Sequence, residues 1–205
     1  MNKRQILFSA PMVRALLTGT KAQTRRIVKV LTGEAHHPPY EPVLWISEDE
    51  CVPINSPEAI ARCPYGQPGD QLWVREQFQF YRPFAGDVTT IPIFYADIDH
   101  CGQCPAIIDG REIFVSPRGP WKPSIHMPRK VSRITLEITG VRVERVQDIS
   151  EEDARAEGVL PTPLQRSFHT WGRCLYEKLW EQINGPNSWD ANPWVWVIGF
   201  KRVMP

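Results

Sequence analysis

The segment 19–26 carries a dense set of reactive side chains. It reads Gly-Thr-Lys-Ala-Gln-Thr-Arg-Arg, so Lys21 precedes Thr24 by three residues and Arg25 and Arg26 follow directly. A threonine hydroxyl becomes a nucleophile when a base takes its proton, and a lysine is such a base once burial or a neighbouring cation lowers its pKa. Arg25 and Arg26 are candidate neighbouring cations, and each can also stabilise an oxyanion, so we interpret both as candidate substrate-binding residues. The alternative is a solvated cluster of cations after a helix, with Thr24 hydrogen-bonded in a turn.

A second group of aromatic and basic side chains lies in the segment 121–129, Trp-Lys-Pro-Ser-Ile-His-Met-Pro-Arg. Its two prolines favour an extended, rigid backbone. A rigid loop that presents Trp121, His126 and Arg129 can stack on a base and contact a phosphate, so we interpret these three as candidate substrate-binding residues. The alternative is a structural loop in which Trp121 fills the core.

Four cysteines are candidate zinc ligands. Cys101 and Cys104 have the spacing of a zinc knuckle, and Cys51 and Cys63 are available to complete a site. Structural zinc normally uses two such knuckles, and the second is missing here. We therefore expect unliganded thiols and no cofactor.

The first elements must position the reactive segment. An apolar run at 6–8 is followed by Ser9, a helix N-cap type, and by Pro11 in the first turn of a predicted helix. Gly19 is expected to end that helix. A turn at 69–70 opens a predicted strand at 71–76, and a further strand is predicted at 91–96.

The clearest predicted element is a long strand at 131–146, where apolar and polar residues alternate until the parity slips at Gly140. A β-bulge or sharp bend at Gly140 explains the slip. The spacing of Ser150 and Asp153 predicts a capped helix that ends at Gly158, and the acidic run 148–153 is expected to be its solvated start. A longer helix is predicted from 162 to 184, with an apolar face at 168, 171, 175, 179 and 183, before a final strand at 194–203.

This order of elements predicts an α+β fold with mostly antiparallel strands, in one domain over 1–205 with irregular insertions at about 30–68 and 78–122. The formal net charge of +1 gives no global attraction to a nucleic acid or a membrane. Five cysteines, an odd number, with no secretory signal predict reduced thiols in a cytoplasm, and no apolar stretch is long enough to span a membrane. The oligomeric state stays open.

Three segments together resemble the ASCH domain, a family of the PUA-like superfamily. The segment 16–26, Leu-Leu-Thr-Gly-Thr-Lys-Ala-Gln-Thr-Arg-Arg, is similar to the family's opening motif. The segment 69–76, Gly-Asp-Gln-Leu-Trp-Val-Arg-Glu, is similar to its second strand, and 134–154 is similar to its long strand and following helix. The resemblance implies a PUA-like β-barrel with flanking helices, and the enlarged form resembles ASCH proteins of phages and prophages.

Some ASCH proteins are N4-acetylcytidine amidohydrolases, and the resemblance carries their catalytic lysine, threonine and glutamate onto Lys21, Thr24 and Glu157. Arg26 matches the closing arginine of the motif. Glu157 lies beside Gly158 at a predicted helix C-terminus, where a carboxylate opposes the helix dipole, and that costly position favours a functional role. The resemblance therefore implies a metal-independent amidohydrolase acting on N4-acylated cytosine nucleosides.

An alternative function uses the same cleft. Lys21, Arg25, Arg26 and Lys29 form a basic cluster in the sequence, as expected of a non-catalytic module that binds single-stranded RNA or DNA. Other members of the family have been interpreted as RNA-binding modules or nucleases, but we find no clustered acidic motif for a metal-dependent nuclease. The expected partner in either case is a nucleoside or a single-stranded nucleic acid, and not a membrane.

Overall fold

The computed structural model describes residues 2–28, 43–45, 51–80, 93–95, 104–108, 111–115, 120–159 and 171–203. In this part of the chain the helices are α1 (Ala10–Leu17), α2 (Pro57–Ala61), α3 (Glu151–Ala156) and α4 (Trp171–Asn184). The strands are β1 (Lys3–Leu7), β2 (Gln23–Ile27), β3 (Val43–Trp45), β4 (Cys51–Pro53), β5 (Gln71–Arg75), β6 (Phe78–Phe80), β7 (Ile93–Tyr95), β8 (Cys104–Ile108), β9 (Arg111–Val115), β10 (Thr135–Arg145) and β11 (Trp194–Val203). Short 3₁₀ turns lie at Ser124–His126, Arg129–Val131 and Val146–Asp148.

The main sheet has five strands in the order β1-β5-β10-β11-β2. β1 and β5 are parallel, and the other neighbours are antiparallel. The predicted α+β class with a mainly antiparallel sheet is therefore confirmed. No closed barrel is found among the described strands, in which β1 and β2 form the two edges of the sheet.

The long strand has the predicted irregularity. The register between β10 and β11 shifts between Ile138 and Gly140, which pair with Phe200 and Gly199. Before the shift, Leu136 and Ile138 are buried, as their alternation predicts. The strand begins at Thr135, later than the predicted residue 131, because the chain makes a 3₁₀ turn at Arg129–Val131 first.

The two faces of the sheet pack against different helices. On β11, Trp196, Ile198 and Phe200 belong to a core that also contains residues of α1, β1 and β5. Val195 and Val197 point to the other face and pack in a second core with residues of α3 and α4. Residues directly opposite each other on neighbouring strands share a face of the sheet. The β11 partner of a residue therefore shows which of the two cores that residue faces.

The predicted helix ends agree with the structure where it describes them. Ser9 is the N-cap of α1 and Gly19 follows the helix with a positive φ of 75°. The Ser150 hydroxyl accepts a hydrogen bond from the Asp153 N–H at 3.0 Å, and Gly158 has a φ of 86°. The predicted helix start at 162 and residue 168 lie outside the described residues.

The buried face of α4 differs from the predicted apolar face. The buried residues are Gly172, Tyr176 and Trp180, one position after the predicted residues 171, 175 and 179. Leu175 and Leu179 are only half-buried, and Ile183 is 50% exposed. The aromatic residues Tyr176 and Trp180 pack with Trp189 in the second core, and this aromatic contact sets the rotation of the helix.

The two predicted insertions contain more regular structure than expected. α2 and the antiparallel pair β3–β4 lie in the first, and the pairs β6–β7 and β8–β9 lie in the second. β7 lies within the strand predicted at 91–96. Of the helices in the described ranges, none has the length and apolar character needed to cross a membrane.

Candidate functional site

β2 is an edge strand, and its alternation sends the reactive side chains to both faces of the sheet. Thr24 lies opposite Ile198 and therefore faces the first core. Arg25 lies opposite Val197 and faces the second core. Because β2 has only β11 beside it in the main sheet, groups from both faces can reach around its outer edge to one point.

The glutamate at that point is Glu157, and α3 brings it there. The Ala22 N–H donates a hydrogen bond to the Ala156 carbonyl at 2.8 Å, and Lys21 and Glu157 form an antiparallel bridge. Gly158 permits this approach, because a Cβ at this position would lie 2.9 Å from the Cβ of Ala15. The turn after α1 and the start of β2 therefore meet the end of α3.

Lys21 and Glu157 form a buried ion pair. Lys21 is 3% exposed, and its Nζ donates to Glu157 Oε2 at 2.7 Å and to the Glu157 carbonyl at 2.8 Å. The second bond places a cation on a terminal carbonyl of α3, which offsets the helix dipole at that end. The same lysine thus neutralises the carboxylate and caps the helix.

The environment lowers the pKa of Lys21 from its ordinary value. Burial is the largest cause, since it disfavours the charged ammonium, and the cations Arg26 and Arg25 act in the same direction. Glu157 opposes them by its charge and its hydrogen bond. A lysine with a lowered pKa can serve as a base. Arg25 and Arg26 were both predicted from the sequence as cations that could lower the pKa of Lys21.

Arg25 is occupied by protein carboxylates. Its side chain has no exposed surface, and it donates to Glu157 Oε1 at 3.2 Å, to Glu144 Oε1 at 2.9 Å and to Asp153 Oδ2 at 2.9 Å. Arg142 also binds Glu144 and Asp153, at 2.9 and 2.6 Å, and so extends the network to the surface. Arg25 was predicted to bind substrate; it holds Glu157 and also lines the cavity beside β2, so its role toward a substrate stays a prediction.

Arg26 is half-buried and lies on the same face as Thr24. It donates to the Leu7 carbonyl at 2.6 Å, and its guanidinium lies 5.5 Å from the centre of the Phe8 ring. Lys21 Nζ lies 5.6 Å from that ring, so the two cations share one aromatic neighbour. Unlike Arg25, Arg26 is hydrogen-bonded to a carbonyl and to no described carboxylate.

A cavity of about 220 Å³ runs along the outer edge of β2. Thr24, Arg26 and Glu157 line it, and so does Tyr176 of α4. Thr24 and Tyr176 are 2% and 4% exposed, yet neither hydroxyl has a hydrogen-bond partner among the described residues. The hydroxyls of two buried residues and a carboxylate therefore share one cavity.

The environment also raises the pKa of Tyr176 well above its ordinary value. Burial is the main cause, and the negative charge of Glu157 adds to it. The phenol stays protonated throughout the physiological range and can act only as a neutral hydrogen-bond partner. The cavity wall contains two further aromatic residues, Tyr65 and Trp180.

The structure does not bring Trp121, His126 and Arg129 to this cavity. All three are exposed, and Trp121 is 38% exposed instead of filling a core. Their segment pairs with Phe78, just after β5, through the backbone of Lys122. β10 and β11 lie between β5 and β2, so this segment is near the opposite edge of the sheet.

The four cysteines form no recognisable metal site in the described residues. Cys51 is exposed, Cys63 is buried in the first core, and burial raises the pKa of the Cys63 thiol. Cys101 and the Cys104 side chain lie outside the described residues. Among those that are described, no group of three metal-ligating side chains occurs.

Three residues of the site were not predicted. Asp153 was counted in a solvated helix start, but it binds Arg25 and Arg142, and Glu144 joins the same network. Strand alternation alone does not reveal which cation Glu144 meets. Tyr176 has a weak signal, since Tyr176 and Trp180 are aromatic residues four apart and therefore share a helix face.

Comparison of the chain with protein-family models, with curated proteins and with solved structures finds no match.

Proposed function

We propose that the protein is an ASCH-type amidohydrolase that removes the acyl group from the N4 atom of an acylated cytosine nucleoside. The observation that carries the proposal is the cavity beside β2, in which the free hydroxyl of Thr24 lies with the carboxylate of a buried lysine–glutamate pair. A hydroxyl, a base of lowered pKa and a proton carrier are the groups that acyl transfer needs.

The walls of the cavity suit a flat heteroaromatic ring. Tyr65, Tyr176 and Trp180 line it, and aromatic side chains stack on bases of any sequence. Arg26 lies at the same wall and can approach a polar edge of the base or an oxyanion. We further propose a PUA-like barrel, a cytoplasmic location and a relationship to ASCH proteins of prophages.

In the first step, Thr24 Oγ1 bonds to the acyl carbon while neutral Lys21 takes the hydroxyl proton. Glu157, hydrogen-bonded to the same Nζ at 2.7 Å, passes that proton to N4 as the bond between the acyl carbon and N4 breaks. The nucleoside leaves with a free amine, and the acyl group stays on Thr24 as an ester. The lowered pKa of Lys21 supports its role as the base.

In the second step, water attacks the ester carbon and gives a proton to the same pair. The bond to Thr24 Oγ1 breaks, the oxygen regains a proton from the pair, and a carboxylic acid leaves. Each step passes through a tetrahedral oxyanion, and the protonated Tyr176 hydroxyl is the donor that we assign to it. Arg25 keeps Glu157 oriented throughout.

Binding of a single-stranded nucleic acid without catalysis is less well supported by the same residues. Phosphate binding needs available cations, but Lys21 and Arg25 are buried and paired with carboxylates. Of the described residues in the basic cluster, Arg26 is the cation that is not paired with a carboxylate. Lys29 lies outside the described residues. The charges of the cluster are thus largely neutralised within the protein.

The deciding experiment is incubation of the purified protein with N4-acetylcytidine in buffer containing EDTA, with cytidine measured by chromatography. We expect turnover, since the proposed chemistry uses only side chains. Thr24→Val should reduce it to background, and Lys21→Met should lower kcat by roughly 10²–10⁴-fold. Because Lys21→Met leaves Glu157 without its main partner, the folding of each variant is checked by circular dichroism.

Thr18→Val is the matched control. Thr18 is exposed, and its hydroxyl bonds to carbonyls at the end of α1, so its loss should leave turnover intact. Absence of cytidine with the wild-type protein would refute the hydrolase. Salt-sensitive binding of an oligonucleotide without turnover would establish the binding module instead, because counterion release makes such affinity fall steeply with salt.

A further inference from the structure

A second, larger cavity adjoins the one that contains Thr24. It has a volume of about 660 Å³, which is within the range of roughly 300–1,000 Å³ typical of small-molecule sites. Pro11, Met12 and Ala15 of α1 line one side, and Leu175, Leu179 and Ile183 of α4 line the other. We call this space the α1–α4 groove.

The groove and the smaller cavity meet at Glu157. Both are lined by Glu157, Met12, Leu179 and Ile183. A molecule whose reacting bond lies at Glu157 therefore has the aromatic cavity on one side and the groove on the other. The groove is lined by small residues beside this junction, where Gly158 approaches Ala15 closely.

The apolar stripe of α4 explains what the groove is suited to bind. Leu175, Leu179 and Ile183 have helical spacing, but the buried face of α4 is formed by other residues. The stripe therefore lines the groove, and Ile183 keeps half of its surface exposed. Aliphatic walls on both sides favour an aliphatic ligand, because burial of apolar surface is the main source of affinity there.

We propose that the α1–α4 groove binds the acyl chain of the substrate, so that the protein prefers N4-acylcytosines with acyl chains of several carbons over the acetyl compound. This inference rests on the proposed function. The reacting amide lies at Glu157, the cytosine lies in the aromatic cavity, and the chain extends between α1 and α4. The gain in transition-state binding should be about fourfold for each methylene that the groove buries.

The test compares kcat/KM for N4-acetyl-, N4-butyryl- and N4-hexanoylcytidine. We expect kcat/KM to rise along the series. Leu175→Asn places an amide in the groove and should reduce the rise from acetyl to hexanoyl by about tenfold. Leu7→Asn is the matched control, since Leu7 is a partly exposed leucine that lines neither cavity, and the rise should persist.

A second measurement separates this inference from the proposed function. Dissociation constants of the three compounds are measured by calorimetry with the Thr24→Val variant. Turnover of the acetyl compound with a flat or falling series would overturn the acyl groove and leave the hydrolase standing. Tighter binding of longer chains without any turnover by the wild-type protein would support the groove as a binding site and refute the hydrolase.

Discussion

Glu157 occupies a position that would be unfavourable without its partners. It lies at the C-terminal end of α3, where a carboxylate opposes the helix dipole, and it is 4% exposed. Lys21 and Arg25 each donate to one of its two carboxylate oxygens. Removal of one partner from a buried ion pair leaves an uncompensated charge, so these cations stabilise the fold as well as the site.

Tyr176→Phe should lower kcat by about 10²–10³-fold with little change in KM, because it removes the proposed donor to the oxyanion. The ring contacts with Trp180 and Trp189, at 6.2 and 6.3 Å between centroids, remain in the variant, so its melting temperature should change little. Tyr95→Phe is the control, since its hydroxyl donates to the Val131 carbonyl. An unchanged kcat in Tyr176→Phe would exclude the proposed role of that hydroxyl.

The pH dependence of kcat/KM should have an acid limb that belongs to Lys21. Its pKa lies below the ordinary value, so its proton is lost at a lower pH than that of a solvated lysine. The proposed mechanism needs the neutral amine, so kcat/KM should fall as the pH drops through this pKa and rise above it. Initial rates over a pH series, corrected for spontaneous hydrolysis, measure the limb. A profile that falls with rising pH would contradict Lys21 as the base.

At the scale of elements, the site depends on the close contact between α3 and the turn after α1. α3 ends at Ala156, and Gly158 turns the chain with a φ of 86° beside Ala15 and Lys21. The contact brings a glutamate from one part of the chain to a lysine 136 residues away. The geometry of the ion pair therefore depends on a position that only glycine can occupy without strain.

Gly158→Ala should lower both stability and activity. The positive φ alone costs an L-residue about 1–2 kcal/mol, and the new Cβ would also lie 2.9 Å from Ala15 and 3.2 Å from Lys21. Gly185→Ala is the matched control, because Gly185 has a φ of 98° at the end of α4 with no atom within 4 Å of its Cβ position.

Thermal denaturation and the rate with N4-acetylcytidine are measured for both glycine variants. We expect a larger fall in melting temperature for Gly158→Ala than for Gly185→Ala, and loss of rate only in the former. Equal losses of rate in the two variants would mean that the close approach of α3 to Ala15 and Lys21 does not contribute to the site.

At the scale of the whole molecule, the order of strands determines which candidate residues meet. β2 is the edge strand beside α3 and α4, so its side chains reach Glu157 from both faces. The segment with Trp121, His126 and Arg129 pairs with Phe78, just after β5, and therefore lies toward the other edge of the sheet. The segments 19–26 and 121–129 both suggested nucleotide binding in the sequence, but the strands of the sheet separate them.

The features that could be predicted from the sequence are those whose causes lie in neighbouring residues. Proline in the first turn of α1, the serine cap of α3, the glycines that end α1 and α3, and the slip at Gly140 depend on neighbouring residues, and the structure agrees with each of them. Periodicity and spacing could not pair Lys21 with Glu157, since no local signal connects residues so far apart.

Which charged and apolar groups are paired within the protein, and which face a cavity, depends on the packing of distant elements. Arg25 and Arg26 are adjacent and alike in sequence, but strand alternation places one against three carboxylates and the other against a carbonyl. Likewise, Leu175 and Tyr176 are neighbours on α4, and the aromatic core turns the tyrosine inward and leaves the leucine facing the groove. Such outcomes depend on packing between distant elements, which the order of residues along the chain does not specify.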